Sequence, residues 1–514
     1  MLQAPDTTAI FNQSLLDEHE FTLTFELVPG RGSGGKRLER ILEFAQAARK
    51  DGRIKALSIT DNPGGHPALS PTPLGLEIRE IGIEPLIHFS LKDKNRNMAE
   101  SQLFECHRHG LLSLLVLGGD FPRYGYQGQA MPVFDLDSVQ LLDLISDLRR
   151  NCPLVKGAPG ANMQLPPMDF LAGCVVSPFK TQEAEQIFQY RKLLSKIRAG
   201  ANFIISQLGF DMDKYQELIR FCHQSEITQP LIANVFIPSL TVARIMHRGQ
   251  VPGVLFPPRL LEVMEQEAAD KDRGEQARLL RAARMVAVIK GMGYSGVHLG
   301  GNNLNFDKIS YVLDQAQSSV ENWQELREKV HFPAAATWYF FGKQDDPKKH
   351  PLPGRYRLNK VIHDMAFEPA GPLFQMNQRL ARWAAATPTR CRLYTLSETL
   401  IKKILFRCRM CGDCTLAESG YLCPQSGCPK RMINGPCGGS LNGWCEVYPG
   451  ERLCFWVRVF RQETDSSHTQ KDLSLRPCPH LPPKDWSLNA SSSWISYFSG
   501  RDHNKLTSPH HDQT

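Results

Sequence analysis

Ten of the chain's fourteen cysteines lie between residues 391 and 478: Cys391, Cys408, Cys411, Cys414, Cys423, Cys428, Cys437, Cys445, Cys454 and Cys478. A segment this rich in thiols has too thin an apolar core to fold unaided, so metal or disulfides must hold it. The opening Met1-Leu-Gln-Ala-Pro-Asp lacks a charged and then apolar leader. The longest apolar run, from Leu111 to Leu117, is too short to span a bilayer. We therefore expect a cytoplasmic protein without a membrane span, in which clustered thiols bind metal rather than pair.

The 400 residues before the cluster read as a different kind of chain. Short apolar runs at 21–28, 54–60, 84–91, 113–119, 170–177, 203–209, 230–237 and 296–301 alternate with helical patterns. Such continuously apolar runs are what strands buried on both faces require. In 181–200, Ile187, Tyr190, Leu194 and Ile197 share one helical face, and Asp137 and Asp211 stand where N-caps belong. Eight βα units over about 300 residues predict a (β/α)8 TIM barrel, with a doubly wound sheet as the alternative. A small cysteine-rich, metal-binding α+β domain follows. The expected divisions are an N-terminal arm (1–20), the barrel (21–328), a linker (329–357), the cysteine-rich domain (358–465) and a polar, unstructured tail (466–514).

A barrel of this kind gathers its chemistry at the C-terminal ends of its strands. The polar residues there are Glu26, Thr60, His88, Ser90, Asp120, Ser177, Gln207 and His298. With 60 Lys and Arg against 53 Asp and Glu, the chain is mildly basic, and these charges read as spread out. No basic stripe marks a nucleic-acid surface. The run GRGSGGK (30–36) fits a phosphate loop by letter, but Arg37 stands where the magnesium-binding hydroxyl belongs.

These strand ends, in order, resemble the methylenetetrahydrofolate reductase family. FELVPG (25–30) is similar to its opening motif, SIT (58–60) to its second strand end and HFS (88–90) to its H-L-T. LVLGGDFP (115–122) and KIRAGANFIISQLGFD (196–211) continue the match. The resemblance covers about 20–310. The run C-x2-C-G-x-C, C-P, C-P-K, N-G-P-C-G-G and G-x-C-E-V across 408–447 resembles the cysteine-rich module or partner subunit found with such reductases in some bacteria.

The resemblance implies reduction of 5,10-methylenetetrahydrofolate to 5-methyltetrahydrofolate by a bound flavin, FAD with FMN as the alternative. Glu26 would be the general acid that opens the bridged ring, a task that needs a raised pKa. Thr60, His88, Ser90, Gly118, Gly119, Asp120 and Lys196 would contact the flavin, and Asp120 and Gln207 the pterin. Three strand ends depart from the family: D-N-P-G-G after the second, V-S-P-F-K after the fifth, and VHLGGNN at the eighth. They leave the nicotinamide and glutamate-tail contacts open, and with them the choice of NAD(P)H as donor.

The spacing of Cys408, Cys411 and Cys414 with Cys423-Pro resembles a ferredoxin-type loop, although eight residues separate the last two thiols. With Cys428, Cys437, Cys445 and Cys454 there are enough ligands for two sites. These would be [4Fe–4S] clusters, or zinc as the alternative, and a cluster would offer a route for electrons from a redox partner protein. A homo-oligomer is expected. Two other functions stay open: a pterin-dependent, methyltransferase-associated barrel, and a non-catalytic scaffold for a metal-bearing module.

Overall fold

The computed structural model describes residues 6–150, 166–335, 337–342, 354–463 and 476–504. Eight parallel strands close into a barrel: β1 (Thr22–Leu27), β2 (Ile54–Ile59), β3 (Glu84–Ser90), β4 (Ser113–Leu117), β5 (Leu171–Val176), β6 (Phe203–Ser206), β7 (Leu231–Ile237) and β8 (Gly296–Gly301). Each pairs with its neighbours in sequence, and β8 closes on β1 with His298 opposite Thr24. All eight sequence runs are therefore strands of a TIM barrel, and the doubly wound alternative is excluded. Side chains from strands and helices pack as one core between the two layers.

The bottom of the barrel is plugged from within the chain. Residues expected only as an arm form a helix, Thr7–Leu16, capped by Asp6. Its Phe11 and Leu15 pack against Ala56, Leu86, Leu115, Phe203 and Ile232 from the barrel interior. Thr7 and Thr8 hydroxyls donate to the buried Glu84 carboxylate at 2.5 and 2.9 Å, which satisfies a charge that the bottom of a barrel could not otherwise hold.

The caps read from sequence hold. Asp137 accepts from the Val139 and Gln140 amides and forms a capping box at helix Ser138–Arg149. Asp211 caps helix Met212–Gln224. The helix expected in 181–200 spans Glu183–Arg198, but it is not half-exposed. Its outer side is covered by helix Phe455–Glu463 of the cysteine-rich region, with Phe188 against Trp456 at 5.1 Å between ring centroids and Arg191 paired to Glu463 at 3.1 Å.

Two segments differ from expectation. The start of the expected linker is packed chain: Val330, Phe332 and Phe340 are buried in the barrel core, and Lys214 donates to the Trp338 carbonyl at 2.9 Å. Residues 343–353 lie outside the described residues, and a helix, Gly354–Ala366, begins before the expected boundary. Within the expected tail, 476–504 is folded. Cys478 and Leu481 are buried, and a helix, Ser493–Phe498, packs Ile495 and Phe498 onto Phe374, Ala381 and Ala384. Scattered apolar residues in a polar segment mark it as a strap across a larger surface, which composition averages away. The rest of the tail, 466–475 and 505–514, lies outside the described residues.

Phe11 is fully buried under the barrel floor. Phe11→Ala is expected to cost about 3–5 kcal/mol of stability, read as a lowered denaturation midpoint.

Candidate functional site at the barrel mouth

A cavity of about 490 Å³ opens at the C-terminal ends of the strands. It gathers every barrel residue put forward from sequence: Glu26, Thr60, His88, Ser90, Gly118, Gly119, Asp120, Ser177, Lys196, Gln207 and His298.

Glu26 stands on β1 opposite Ser58 of β2. Its side chain keeps 23% of its surface, and its Oε2 lies 4.0 Å from His298 Nε2. Burial pushes the carboxyl up to about 7, and the charge of Asp120 adds to the shift. The neighbouring imidazoles cannot reverse this. Burial brings His88 down to about 4 and His298 to about 3, so both are neutral. Thr24 Oγ1 holds His298 through Nδ1 at 2.8 Å, and His88 Nε2 has no partner. The ligand atoms of Glu26, His88 and His298 lie within 4.8 Å of one another. Such a set could hold a metal ion, and without one the carboxyl, raised to about 7, is suited to donate a proton.

Asp120 ends the β4 loop and accepts from the Gly64 amide at 2.9 Å. A Cβ at Gly118 would meet nothing within 4 Å, so that backbone lies open to the cavity. Gly119 has φ +83°, and a Cβ there would press on Ser90 and Lys92 at 3.1 and 3.2 Å. Gln207 uses Oε1 to accept from the Leu208 amide at 2.9 Å. Lys196 is buried and donates to the Val175 carbonyl at 2.6 Å, and burial lowers its pKa to about 8. Ser90 is engaged: its hydroxyl donates to Asp61 at 2.9 Å and accepts from Lys92 at 2.8 Å.

Five buried polar atoms on this wall have no partner: Thr60 Oγ1, His88 Nε2, Ser177 Oγ, Asn234 Oδ1 and Asn302 Oδ1. Buried polar atoms are normally paired. A planar heterocycle with donors and acceptors along its edge would answer them, so these residues fit a flavin or a pterin.

Sequence reading missed a second group of residues. Asp61, the aspartate of D-N-P-G-G, accepts from Lys94 Nζ at 2.5 Å, while Lys92 Nζ donates to the Asp61 carbonyl at 2.7 Å. Burial would raise Asp61, but Lys94 and Lys92 outweigh it and keep the carboxylate ionised. The cavity's other wall comes from the cysteine-rich region: Lys430, Met432, Pro436, Cys437, Gly438 and Glu446. Lys430 donates to the Gly119 carbonyl at 2.8 Å and pairs with Glu446. Burial alone would discharge it, but Glu446 more than compensates and holds its pKa above that of an ordinary lysine.

The N-G-P-C-G-G loop lies across the mouth. The Asn434 amide donates to the cap residue Asp137 at 3.0 Å, and Lys192 donates to the Gly435 carbonyl at 3.1 Å. Lys180, from the divergent V-S-P-F-K, donates to the carbonyls of Gly438 and Ser440 at 2.5 and 2.6 Å. The fifth strand end thus holds this loop.

The eight module cysteines divide into two groups. Cys408, Cys411, Cys414 and Cys423 line one small cavity, and Cys428, Cys437, Cys445 and Cys454 another. Cys437 also lines the barrel-mouth cavity. All described cysteines are free thiols. Cys391 lies instead in the helical core, and Cys478 is buried near Gly435.

Comparison with known proteins agrees with this architecture. Residues 11–316 match the family model for methylenetetrahydrofolate reductase, and 388–487 match a second described as methylene-tetrahydrofolate reductase C terminal. The barrel match covers more than half of the chain, and the chain belongs to the methylenetetrahydrofolate reductase family. A probable methylenetetrahydrofolate reductase (NADPH) of Caenorhabditis elegans is 24% identical over 267 residues, 51% of this chain and 37% of that protein. Methylenetetrahydrofolate reductase (NADH) 1 of Arabidopsis thaliana is 24% identical over 312 residues, 58% of this chain and 48% of that protein. The chain thus spans less than half the length of these relatives. An uncharacterized Clostridium thermocellum protein, described as binding two copies of 5-methyl-5,6,7,8-tetrahydrofolic acid, aligns with a TM-score of 0.41 at 12% identity, over 61% of this chain and 99% of that one. Among the described residues, no helix is long and apolar enough to cross a membrane.

Lys180→Met would leave two buried carbonyls without their donor, at about 1–3 kcal/mol each. Amide hydrogen exchange across 434–440 is expected to speed up, while the barrel strands keep their protection.

Proposed function

We propose that this chain reduces the methylene bridge of 5,10-methylenetetrahydrofolate to a methyl group in the barrel-mouth cavity. The observation that carries the reading is a carboxyl, Glu26, kept protonated near neutral pH by burial beside two neutral imidazoles. A flavin, FAD or FMN, bound in the same cavity would supply the hydride. Glu26 gives its proton to the aryl nitrogen of the bridge, which opens the ring and leaves an iminium carbon to be reduced. Gln207 and Asp120 read the pterin edge, and Gly118 lets a flat ring lie against the backbone. Thr60, His88 and Ser177 offer edge partners to the flavin. Lys196, which lines this cavity beside the Val175 carbonyl, would hold the flavin phosphate.

The two thiol groups would hold [4Fe–4S] clusters that store and pass electrons. The thiols group in fours, which suits either group, and two points support clusters over zinc. Cys437 belongs to both its thiol group and the barrel-mouth wall. A tetrahedral zinc also draws its sulfurs to about 3.8 Å of one another, given a Zn–S bond of about 2.3 Å. Among the described residues, no thiol takes part in a trio of potential ligand atoms lying within 4.8 Å of each other. The roof formed by the 434–440 loop favours electrons arriving through the module over a nicotinamide at the mouth, and NAD(P)H is the second reading.

Protein purified without air is expected to be yellow-brown and, once reduced with dithionite, to convert methylenetetrahydrofolate to the methyl form. A colourless protein that takes up neither flavin nor folate overturns the reading. Glu26→Gln should lower single-turnover reduction about 10²–10⁴-fold while flavin stays bound. In the unaltered protein the rate should be full below pH 7 and fall as pH rises through about 7, because the acid is then lost. A rate flat from pH 6 to 8.5 removes Glu26 as the acid. Iron and acid-labile sulfide should be found together. Zinc alone would end the cluster assignment.

A further inference from the structure

The net charge of the chain does not lie where the sequence reading puts it. Residues 354–407 hold ten Lys and Arg against three Asp and Glu, and the remainder of the chain is balanced at fifty each. The whole surplus of +7 therefore belongs to one layer of three helices, Gly354–Ala366, Phe374–Ala385 and Pro388–Phe406.

The inner side of this layer is accounted for, since Phe374, Ala381 and Ala384 pack on the helix Ser493–Phe498. Its outer side is apolar and, among the described residues, uncovered. Leu393, Leu396, Leu400 and Ile404 recur at helical spacing along the third helix, each 64–72% exposed, and Leu358 and Trp383 are exposed on the other two helices. Exposed apolar stripes mark interaction sites. Arg392 and Lys403 adjoin the stripe in sequence and are exposed, as are Arg357 and Arg382 on the other two helices.

The position of the layer narrows the occupant. The third helix runs straight into the outer thiol group. Its Lys402 Nζ lies 3.6 Å from Cys414 Sγ, and Phe406 lines the same small cavity as Cys408 and Cys423. A second copy of this chain would bring the same positive surface against itself, because a two-fold interface pairs like with like. An apolar stripe with cations beside it suits an apolar patch with carboxylates beside it.

We propose that this helical layer is the docking surface for a small acidic electron-carrier protein, which delivers reducing equivalents to the outer thiol site, Cys408–Cys423. The inference rests on the proposed reductase function. Each methylene group reduced takes up two electrons and two protons, so a one-electron carrier must dock twice, with both protons drawn from water.

The test uses the full chain purified without air and, as probe, an acidic [2Fe–2S] carrier protein. Binding is measured by biolayer interferometry at low and high salt. Saturable binding is expected, weakened at least about tenfold as ionic strength rises from about 0.02 to 0.3 M. Leu396→Glu/Leu400→Glu should weaken it by a similar factor, and so should Arg392→Glu/Lys403→Glu, with unaltered melting temperature and iron content. No binding at low salt overturns the proposal, as does binding indifferent to both double variants. A dimer abolished by Leu396→Glu/Leu400→Glu in sedimentation assigns the face to a second copy, and flotation with anionic vesicles but not with the carrier assigns it to a membrane. Either result overturns the proposal. Reduction of methylenetetrahydrofolate by the unaltered chain with reduced methyl viologen tests the enzyme reading separately, since viologen needs no docking surface. Its failure sinks the proposed function, and binding alone then still decides the surface.

Discussion

The arrangement of this protein depends on a short loop, Asn434 to Ser440, pinned over the open end of the barrel. Three cationic or capping groups of the barrel reach up to it: Lys180 to two carbonyls, Lys192 to a third, and Asp137 to an amide. Two of these are buried ammonium groups that give up hydration and recover it from peptide oxygens, so each contact is costly to break. Because the loop carries Cys437, pinning it also fixes where the inner thiol group stands relative to the cavity. The contact between Phe188 and Trp456 on the flank holds the module against the barrel at a second place.

The electrostatics of the cavity depend on which acid has cations for neighbours. A carboxyl on an open barrel rim would ionise near pH 4. Burial raises Glu26 to about 7 and keeps the imidazoles beside it neutral. Neutral histidines give a carboxylate no compensating charge, and Lys92 and Lys94 are occupied by Asp61. One cavity thus holds a carboxyl raised to about 7 and another that stays ionised.

The barrel was legible in the sequence because parallel strands covered on both faces must be apolar throughout, and eight such runs recur with helices between. Its strand-end polar residues were legible for the complementary reason: Glu26, His88 and Gln207 interrupt apolar stretches. What stayed hidden depends on partners distant in sequence. Nothing local distinguishes Lys180, in a loop, or Lys192, on a helix, from surface lysines, since their acceptors lie about 250 residues away. The helix Glu183–Arg198 looked two-faced because its second cover, Phe455–Glu463, comes from another domain. The folded strap at 476–504 was hidden by its polarity, as its few buried residues draw their stability from surfaces already built.

Two of the divergent strand ends serve as anchors within this chain. V-S-P-F-K supplies Lys180 as an anchor. D-N-P-G-G supplies Asp61, which organises Lys92 and Lys94, and Gly64, whose amide holds Asp120. The module also places a cation on the β4 loop, through Lys430 on the Gly119 carbonyl, so the loop that carries Asp120 is in direct contact with the module. In this chain the cysteine-rich region is part of the wall of the site.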